Sequence, residues 1–374
     1  MNKNFFTTIF FSFLLTAILA QNPNRIKEPD IMKNPVRREI IMPTIPGYEI
    51  IKGDFHTHTV FSDGLVWPTI RVEEAYYDGL DAIALTEHIE YLPFRELVKG
   101  DHNTAYTIAR PRADQMNILL VQAAEITRAM PPGHIVALFV EDANKLETDE
   151  YMDALVEARR QGAFLFWAHP GWVAQQPDTT LWWDVHTQLL EQDLLHGVEV
   201  FNWDDWYPVS MQWAKEKNLT WFANSDVHPV VSHSFNTRDF MRPMNLVFAQ
   251  DRSLEALKEA LFEQRSVAFF LDNLAGPEHL LLELFNHSVE IGRPFTTDRN
   301  GNWRVQLRNP TDLTFRLQNL ESGNGATRSI VLHPRSSVII TCPASENGQT
   351  TLQYKATNLH TGMFEHPTIT IIVE

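Results

Sequence analysis

The sequence has a single cysteine, Cys342, among 374 residues. One thiol excludes an intramolecular disulfide bond and any metal site built from several cysteines. Basic residues are also scarce, because 31 Lys and Arg stand against 47 Asp and Glu and give a formal net charge of −16 at pH 7. A nucleic-acid backbone or an anionic membrane needs clustered positive charge on its partner. The charge balance argues against both as the main partner, and an anionic substrate would need positive charge from another source.

Long apolar runs are scarce as well, and the one that stands out lies near the N-terminus. Residues 5–20 are mostly apolar, follow Lys3 and precede Gln-Asn-Pro, which is the layout of a secretory signal peptide cleaved after Ala20. A membrane anchor is the less favoured alternative, since the run is shorter than the ~20 residues that a span needs. We therefore expect a secreted, periplasmic protein with a signal peptide at residues 1–20 and an arm at residues 21–47 laid on the surface.

Residues 48–276 alternate apolar, strand-like runs with segments that carry helix signals. Pro68 can open a helix, at a position where its missing N–H costs nothing. Thr148 or Asp149 can cap a second helix, and Ser253 can cap a third. Continuous apolar strands that alternate with helices predict an α/β fold of parallel strands covered on both faces. Seven or eight such units predict a barrel-like closure of the sheet.

Residues 277–374 have a different pattern. Short alternating strands run from "NWRVQLRNP" to "TITIIVE", and Asn-Gly pairs at 300–301, 324–325 and 347–348 supply tight turns between them. No helix pattern is apparent in this region. We predict a small all-β, sandwich-like C-terminal domain that docks on the barrel and holds no catalytic residue.

Side chains of the types that bind metals collect at the ends of the predicted strands. His56 and His58 share one strand face, because side chains alternate with period two. Alone this pair is weak evidence, since a single buried His is more often simply hydrogen-bonded. The other strand ends carry the same residue types, however, and in parallel barrels the C-terminal strand ends build the active site. The candidate ligands are His56, His58, Asp63, His88, Glu125, His134, His169, Asp226 and His228.

The sequence resembles the PHP (polymerase and histidinol phosphatase) superfamily from about residue 50 to about residue 275. The motifs that carry this resemblance are all present and in order: His56-x-His58-Thr-x-x-Ser-Asp63-Gly, Thr86-Glu-His88, Glu125 with His134, His169-Pro170 and Asp226-x-His228.

The resemblance implies a distorted (β/α)7 barrel with a trinuclear metal centre. One ion would be held by His56, His58, Glu125 and Asp226. A second ion would share Glu125 and take His134 and His169, and a third would take Asp63, His88 and His228. Glu87, where the family often has Asp, would orient a ligand rather than bind an ion.

Imidazole and carboxylate ligands suit Zn, Mn or Fe, and the sequence does not choose among these divalent ions. Two ions that share Glu125 can hold a hydroxide between them, which is a nucleophile at neutral pH. His56, His58, Glu125 and Asp226 would be the catalytic residues that hold it. Three divalent cations would also supply the positive charge that the rest of the chain lacks.

The signal peptide and the β tail resemble the secreted phosphodiesterase branch of the superfamily, the Sb-PDE type. This implies a secreted metal-dependent phosphodiesterase that acts on a small phosphate ester, with no nucleic-acid polymer or membrane as partner. A phosphomonoesterase of the histidinol-phosphatase type and a non-catalytic, metal-stabilised binding protein are the alternatives. A peptidase or amidohydrolase is disfavoured, because no Lys stands at a corresponding strand end. The oligomeric state stays open.

The residues that contact the rest of the substrate are less well defined by the sequence. Arg128 is a candidate phosphate contact, and a surface position in its loop is an equal alternative. The other candidates for the pocket wall, for stacking or for a hydrogen bond to the substrate are Tyr91, Arg95, His233, Trp203, Trp206 and Asn202.

Overall fold

A computed structural model describes residues 35–321, 323 and 325–374 of the chain. The predicted signal peptide and most of the predicted arm lie outside the described residues. In the described part of the chain, no helix is long and apolar enough to cross a membrane.

The described chain contains twenty strands. They are β1 (Glu49–Asp54), β2 (Ala82–Leu85), β3 (Leu119–Ile126), β4 (Ile135–Leu138), β5 (Phe164–Trp167), β6 (Gly197–Asn202), β7 (Asp205–Trp206), β8 (Thr220–Asn224), β9 (Met244–Ala249), β10 (Ser266–Phe270), β11 (Asn273–Ala275), β12 (Glu290–Ile291), β13 (Thr296–Thr297), β14 (Trp303–Asn309), β15 (Phe315–Asn319), β16 (Ser329–Leu332), β17 (Ser336–Cys342), β18 (Thr350–Ala356), β19 (Leu359–His360) and β20 (Thr368–Val373). The helices are α1 (Pro68–Tyr77), α2 (Thr104–Met116), α3 (Tyr151–Arg160), α4 (Asp184–Glu191), α5 (Pro208–Glu216), α6 (Val231–Ser234), α7 (Leu254–Phe262) and α8 (Glu278–Ser288), with a short 3-10 helix at Ala143–Leu146.

Twelve of these strands form one curled sheet that resembles half a barrel. Their order is β19-β11-β10-β9-β1-β2-β3-β4-β5-β6-β7, and β8 pairs with β6. Strands β2, β5, β6, β8 and β9 are buried along their whole length. Because both faces of these strands are covered, the sequence shows them as continuous apolar runs rather than as alternating ones. The predicted α/β class with a barrel-like sheet is confirmed.

The prediction of parallel strands is correct for only part of the sheet. β1, β2 and β3 run parallel, as do β5, β6 and β8, but β4 is antiparallel to both β3 and β5. β9 is antiparallel to β1. The segment between β3 and β4 is only residues 127–134. A parallel connection needs a dozen residues or more, so this short link forces β4 to reverse direction.

Two of the predicted helix starts are correct and one differs. α1 begins with Pro68, and the Ser253 side chain accepts a hydrogen bond from the Ala256 amide at the start of α7. The start of α3 differs, because its N-cap residue is Glu150 and not Thr148 or Asp149, and no side chain caps it.

The C-terminal region contains a helix that the sequence analysis did not predict. α8 is amphipathic and buries Leu280, Leu281, Leu284 and Phe285. The remainder of the region is all-β, as predicted. One sheet has the order β12-β14-β13 with β17 on β14, and the other has the order β16-β15-β18-β20. Buried and exposed residues alternate along β14, β18 and β20, which is the pattern of strands with one face on a core.

The C-terminal region docks on the curled sheet through backbone pairing and a shared core. β19 runs parallel to β11, with Leu359 opposite Leu274. One apolar cluster contains residues of α1, α8 and both C-terminal sheets. The described part of the arm joins the same cluster, because Ile40 and Ile45 are buried in it. Residues 37–374 therefore form one compact unit.

Candidate metal centre

The nine predicted ligands lie together at one edge of the curled sheet, and we call them the ligand cluster. His56 and His58 follow β1, His88 follows β2, and Asp226 follows β8. His134 directly precedes β4. Because β4 is antiparallel, its first residue lies at the edge where β3 and β5 end. The cluster also contains Asp63, Glu125, His169 and His228.

Backbone contacts hold the segments of the ligand cluster in register. The amide of Asp226 donates to the carbonyl of His56 at 2.9 Å, and the amide of His58 donates to the carbonyl of Val227 at 3.1 Å. The buried guanidinium of Arg71 adds a third link. It donates to the carbonyl of His58 at 2.9 Å and to that of His228 at 3.0 Å, so one cation fixes two ligand-bearing loops.

Glu125 is fully buried at the centre of the ligand cluster. Its Oε2 lies 3.3 Å from His56 Nε2, 3.4 Å from His58 Nε2 and 2.8 Å from His88 Nδ1. Its Oε1 lies 2.8 Å from His134 Nδ1 and 3.3 Å from His169 Nε2. The two oxygens therefore face different imidazoles, which is the arrangement needed for one carboxylate to serve two ions.

The other two carboxylates flank this centre. Asp226 Oδ1 lies 3.2 Å from His56 Nε2 and 3.0 Å from His58 Nε2. Asp63 Oδ1 lies 3.4 Å from His88 Nε2 and 3.2 Å from His228 Nε2. The two carboxylates approach different nitrogens of His58. Asp226 lies next to Nε2, and Asp63 Oδ1 lies 3.9 Å from Nδ1.

The buried donor atoms of the cluster fit a metal site. Nearly all buried polar groups in proteins have a hydrogen-bond partner. Here five side-chain atoms inside the cluster have no hydrogen-bond partner and almost no solvent contact: His56 Nε2, His58 Nε2, Asp63 Oδ1, Glu125 Oε2 and Asp226 Oδ1. Imidazole nitrogens and carboxylate oxygens are the ligands that transition-metal ions take. The cluster is therefore suited to divalent metal ions.

The donor atoms form four overlapping groups, each with its ligand atoms within 4.8 Å of one another. They are His56, His58 and Glu125; His56, His169 and Asp226; His88, Glu125 and His134; and His58, Asp63, His88 and His228. These groups contain all nine predicted ligands. They differ in detail from the sets that the resemblance implies, because His58 also faces the Asp63 group and His169 also faces Asp226.

The pKa values of the ligand cluster reflect burial and the opposite charges packed into it. Burial would lower the pKa of His88, but Glu125 and Asp63 raise it to about 10. Burial would raise the pKa of Asp226, but the neighbouring imidazoles hold it well below its usual range. The pKa of His58 falls to about 3 through burial and through the like charges of His88 and His228. In the absence of metal ions, these shifts favour ionised carboxylates, and protonated imidazoles such as His88 supply the positive charge.

Glu199 in β6 is a buried carboxylate that the sequence analysis missed. Its Oε1 accepts from His56 Nδ1 at 3.0 Å and from Asn224 Nδ2 at 2.9 Å. Its Oε2 accepts from the His169 amide at 2.6 Å and from Asn202 Nδ2 at 2.8 Å. The proton of His56 is thereby held on Nδ1, and Nε2 is free to bind an ion. The available signal was one acidic residue inside the apolar run "GVEVFN".

Glu87 orients the second imidazole of the pair through a serine. Its Oε2 accepts the only hydroxyl proton of Ser62 at 2.5 Å. The Ser62 oxygen, 3.3 Å from His58 Nδ1, must therefore accept from that nitrogen. The hydroxyl of Thr59 donates to Glu87 Oε1 at 2.5 Å. This geometry agrees with the predicted orienting role, because it directs His58 Nε2 towards the other ligands.

A cavity of about 630 Å³ opens above the ligand cluster. Six of the nine ligands line its floor: Asp63, His88, His134, His169, Asp226 and His228. The walls are Tyr91, Thr127, Trp172, Val173, Asn202, Trp203, Asp204, Asp205 and Tyr207. Tyr91, Trp203 and Asn202 were expected near the substrate, whereas no sequence pattern indicated Trp172 or Tyr207.

The structure does not bring the remaining candidates into this cavity. The guanidinium of Arg128 contacts Glu90 Oε1 at 2.7 Å and donates to the carbonyl of Thr148 at 2.8 Å, so it is engaged elsewhere. Arg95 lines a smaller, separate pocket of about 90 Å³. Trp206 packs against Phe270 and His360, and neither Trp206 nor His233 lines the cavity.

Comparison with known proteins gives a similarity over almost the whole chain. A solved two-domain protein of Bacteroides vulgatus, containing a predicted PHP-like metal-dependent phosphoesterase, is 41% identical. The match has a TM-score of 0.86 and covers 90% of this chain and 99% of that one. Residues 289–372 match an Ig-like domain family. An uncharacterised protein of Methanocaldococcus jannaschii is 36% identical over 84 residues, and the match spans only 36% of that protein's length.

The curled α/β sheet, with its ligand cluster at one edge, defines a PHP-type metal-dependent protein. The similarity to the Bacteroides vulgatus protein extends over nearly the full length of that protein, so it includes both of its domains. The chain belongs to the family of two-domain PHP-like metal-dependent phosphoesterases. The Ig-like match begins directly after α8 ends at Ser288, so this helix lies between the sheet and the Ig-like domain.

Proposed function

We propose that this protein is a secreted metal-dependent phosphodiesterase that hydrolyses a small phosphate ester at a trinuclear centre. The observation that carries the proposal is the ligand cluster itself. Its unpaired donor atoms face one another beneath a cavity of about 630 Å³. Structural metal sites are closed by protein ligands, whereas catalytic sites keep an open position. A cluster at the floor of an open cavity therefore favours catalysis over a purely structural role.

Three divalent ions are proposed, because nine ligands exceed what one or two ions need. His56, His58, Glu125 and Asp226 would hold the first. Divalent Zn, Mn or Fe, when bound, would supply positive charge to the phosphate and lower the pKa of a water molecule to near 7. The other two sets, as implied by the resemblance, are Glu125, His134 and His169, and Asp63, His88 and His228.

The side chains of this protein would prepare the site for hydrolysis in three ways. Glu199 holds the proton of His56 on Nδ1, and Ser62 with Glu87 does the same for His58. The buried carboxylate of Glu125 fixes the imidazoles on both of its sides. The aromatic walls of the cavity would reduce the contact of a bound substrate with bulk water, which strengthens electrostatic interactions with it.

The reaction itself needs only water as a second reactant. The oxygen of water forms a bond to phosphorus, and the bond from phosphorus to the leaving oxygen breaks. One proton of water ends on the leaving alcohol, and the products are that alcohol and a phosphate monoester.

A diester is preferred over a monoester as substrate in this proposal. A terminal phosphate carries two negative charges and would bind strongly to three cations already in the ground state. A diester carries one charge and gains more as charge develops in the transition state, and only that gain raises the chemical rate. The resemblance to the secreted branch points the same way.

The test combines metal analysis with matched substrates. We expect two to three transition-metal ions per chain and a higher kcat/KM for bis(p-nitrophenyl) phosphate than for p-nitrophenyl phosphate at equal metal loading. The rates are compared after correction for the uncatalysed reactivity of each ester. A tenfold preference for the monoester, about 1.4 kcal/mol of transition-state binding, would replace this proposal with a phosphomonoesterase. Full activity in metal-free protein would reject both.

Export to the periplasm is part of the proposal and rests on residues 1–20. We expect the mature protein to begin at Gln21 and to fractionate with periplasmic enzymes. N-terminal sequencing of the protein from its native host tests this directly. An intact Met1 in the cytoplasmic fraction would contradict it.

A further inference from the structure

The outer part of the cavity has aromatic walls on several sides. The ring centroid of Trp172 lies 5.3 Å from that of His169, and the centroid of Tyr91 lies 5.9 Å from that of His88. On another side, the centroid of Trp203 lies 6.4 Å from that of His228. Aromatic faces therefore rise from the floor of the cavity next to three different ligands.

A fourth ring, that of Tyr207, is buried against the loop that carries Trp172. A Cβ atom placed on Gly171 would lie 2.7 Å from Tyr207 Cδ1, so only glycine permits this close approach. The hydroxyl of Tyr207 donates to Asp205 Oδ2 at 3.5 Å. Tyr207 thus links the aromatic wall to an acidic side chain at the mouth of the cavity.

Two neighbouring carboxylates, Asp204 and Asp205, line the same mouth. Trp203 and Asp204 form the two-residue turn between β6 and β7, where Asn202 pairs with Asp205. Trp203 has φ of +55°, a conformation that bulky residues seldom adopt. This turn directs an aromatic ring and two acidic residues into one cavity.

Apart from the histidines on its floor, the described lining of the cavity has no basic residue that could balance these carboxylates. Among the described residues that line it there is no Lys or Arg, and Asp204 and Asp205 are both exposed. The carboxylates of the ligand cluster would be balanced by bound cations, but Asp204 and Asp205 lie on the wall and belong to none of the four groups of donor atoms. An anionic phosphodiester that enters this cavity must therefore pass two carboxylates with no Lys or Arg beside them in the described lining.

We propose that the substrate is a zwitterionic phosphodiester whose alcohol part carries an alkylammonium group. This inference rests on the proposed function, because the same cavity would present the phosphate to the ligand cluster. Aromatic faces attract a quaternary ammonium group through their π electrons, and adjacent carboxylates strengthen that attraction. The ammonium charge would lie among Trp172, Trp203 and Tyr207, with Asp204 and Asp205 at its side.

The polar groups of the wall favour a cation over a neutral polyol. A polyol needs hydrogen-bond donors as well as acceptors from its site. The amide nitrogen of Asn202 already donates to Glu199 and Asp226. The hydroxyl of Thr127 already contacts the backbone carbonyl of Glu125 and the imidazole of His88. Asn202 and Thr127 are therefore engaged, and the acidic groups of the described wall are the carboxylates of Asp204 and Asp205 beside aromatic faces, which suit a positive charge.

The first experiment compares two substrates that differ only in charge. p-Nitrophenyl phosphorylcholine carries a trimethylammonium group, and p-nitrophenyl 3,3-dimethylbutyl phosphate replaces its nitrogen with carbon. We expect the cationic ester to have at least tenfold higher kcat/KM in the metal-loaded full chain. The double variant Asp204→Asn, Asp205→Asn should reduce this ratio to below threefold. Asp251→Asn, an exposed carboxylate outside the cavity, is the matched control and should keep the wild-type ratio.

Equal kcat/KM for the two esters, or an unchanged ratio in the double variant, would overturn the inference. So would a preference for p-nitrophenyl glyceryl phosphate over the choline ester, which would assign the cavity to a neutral polyol.

The second experiment measures binding without catalysis. Choline should quench or shift the tryptophan fluorescence of the metal-loaded protein at a concentration at least tenfold lower than 3,3-dimethylbutan-1-ol does. Asp204→Asn, Asp205→Asn should remove the difference. Choline binding by a protein that hydrolyses no diester would reject the proposed function and keep the cation subsite. Diester hydrolysis with equal binding of the two alcohols would keep the function and reject the subsite.

Discussion

The change of Glu199 to Gln tests whether a buried carboxylate sets the metal affinity of the neighbouring imidazole. All four partners of Glu199 are donors: His56 Nδ1, the His169 amide, Asn202 Nδ2 and Asn224 Nδ2. A carboxylate accepts from all four. A glutamine side chain keeps one accepting oxygen and places an amide nitrogen, itself a donor, where the other oxygen was.

Neither orientation of the new amide satisfies its neighbours. If the nitrogen takes the Oε2 position, it faces the backbone amide of His169, which cannot turn away. If it takes the Oε1 position, it faces the side-chain nitrogen of Asn224. The Asn224 side chain cannot flip, because its Oδ1 accepts from the backbone amide of Phe55 and from the side-chain nitrogen of Asn245. In that case His56 would also have to move its proton to Nε2, the nitrogen that faces the other ligands.

The expected cost follows from these contacts. Each buried donor left without an acceptor costs roughly 1–3 kcal/mol of folding free energy. Replacement of a group that orients a metal ligand typically weakens metal affinity about 10- to 100-fold. We therefore expect Glu199→Gln to lose about 1–3 kcal/mol of stability without metal and to bind Zn²⁺ at least about tenfold more weakly.

The assay is a chelator competition titration with Zn²⁺, combined with thermal unfolding of the metal-free and metal-loaded protein. Glu87→Gln is the matched control, because Glu87 is also buried and also orients an imidazole. A glutamine at position 87 can keep its oxygen at the Oε2 position, where the Ser62 hydroxyl and the Thr59 amide donate. The Thr59 hydroxyl at the Oε1 position can rotate and accept from the new amide, so this variant should lose less than threefold in affinity. Metal affinity of Glu199→Gln within twofold of the wild type, or equal losses in both variants, would refute the reasoning.

Further predictions concern the ligand cluster and the C-terminal region. His56→Ala or Asp226→Ala should abolish hydrolysis. Glu125→Ala should be at least as severe, because the two oxygens of Glu125 face different imidazoles. Steady-state rates and metal content measure these losses, and an active, metal-free variant would contradict the prediction. The pKa of His88 is raised to about 10 without metal, so an ion must displace a proton. Addition of Zn²⁺ at pH 7 should therefore release protons to an indicator, and affinity should rise with pH. Removal of residues 278–374 should leave the remainder insoluble, because α8 and β19 cover apolar parts of the sheet; a soluble, fully stable truncated protein would contradict this.

The sequence predicted nine candidate ligands at strand ends, and the structure brings these residues together, while their binding of metal ions stays a prediction. His56 and His58 share a strand face because strand side chains alternate, and the other ligands stand at strand ends that an α/β fold brings to one edge. Apolar runs such as "GAFLFWAHP" follow directly from strands covered on both faces. These features depend on local periodicity, which the order of residues records.

The tertiary structure decided which other side chains reach that edge. His134 joins the cluster because the short link after β3 makes β4 antiparallel, and strand direction depends on a pairing that no local pattern records. Arg128 lies close to Glu125 in sequence, but its guanidinium contacts Glu90 and Thr148 instead of the cavity.

The contacts of Glu199, Trp172 and Tyr207 come from different strands and loops, so their positions depend on packing between distant segments. Amphipathic α8 covers the junction between the curled sheet and the Ig-like domain, and the helical spacing of its buried residues was a local signal that could have predicted it. The residue types in the sequence determine that the site can bind divalent metal ions. Long-range packing determines how each ligand is oriented and which residues line the cavity above the ligands.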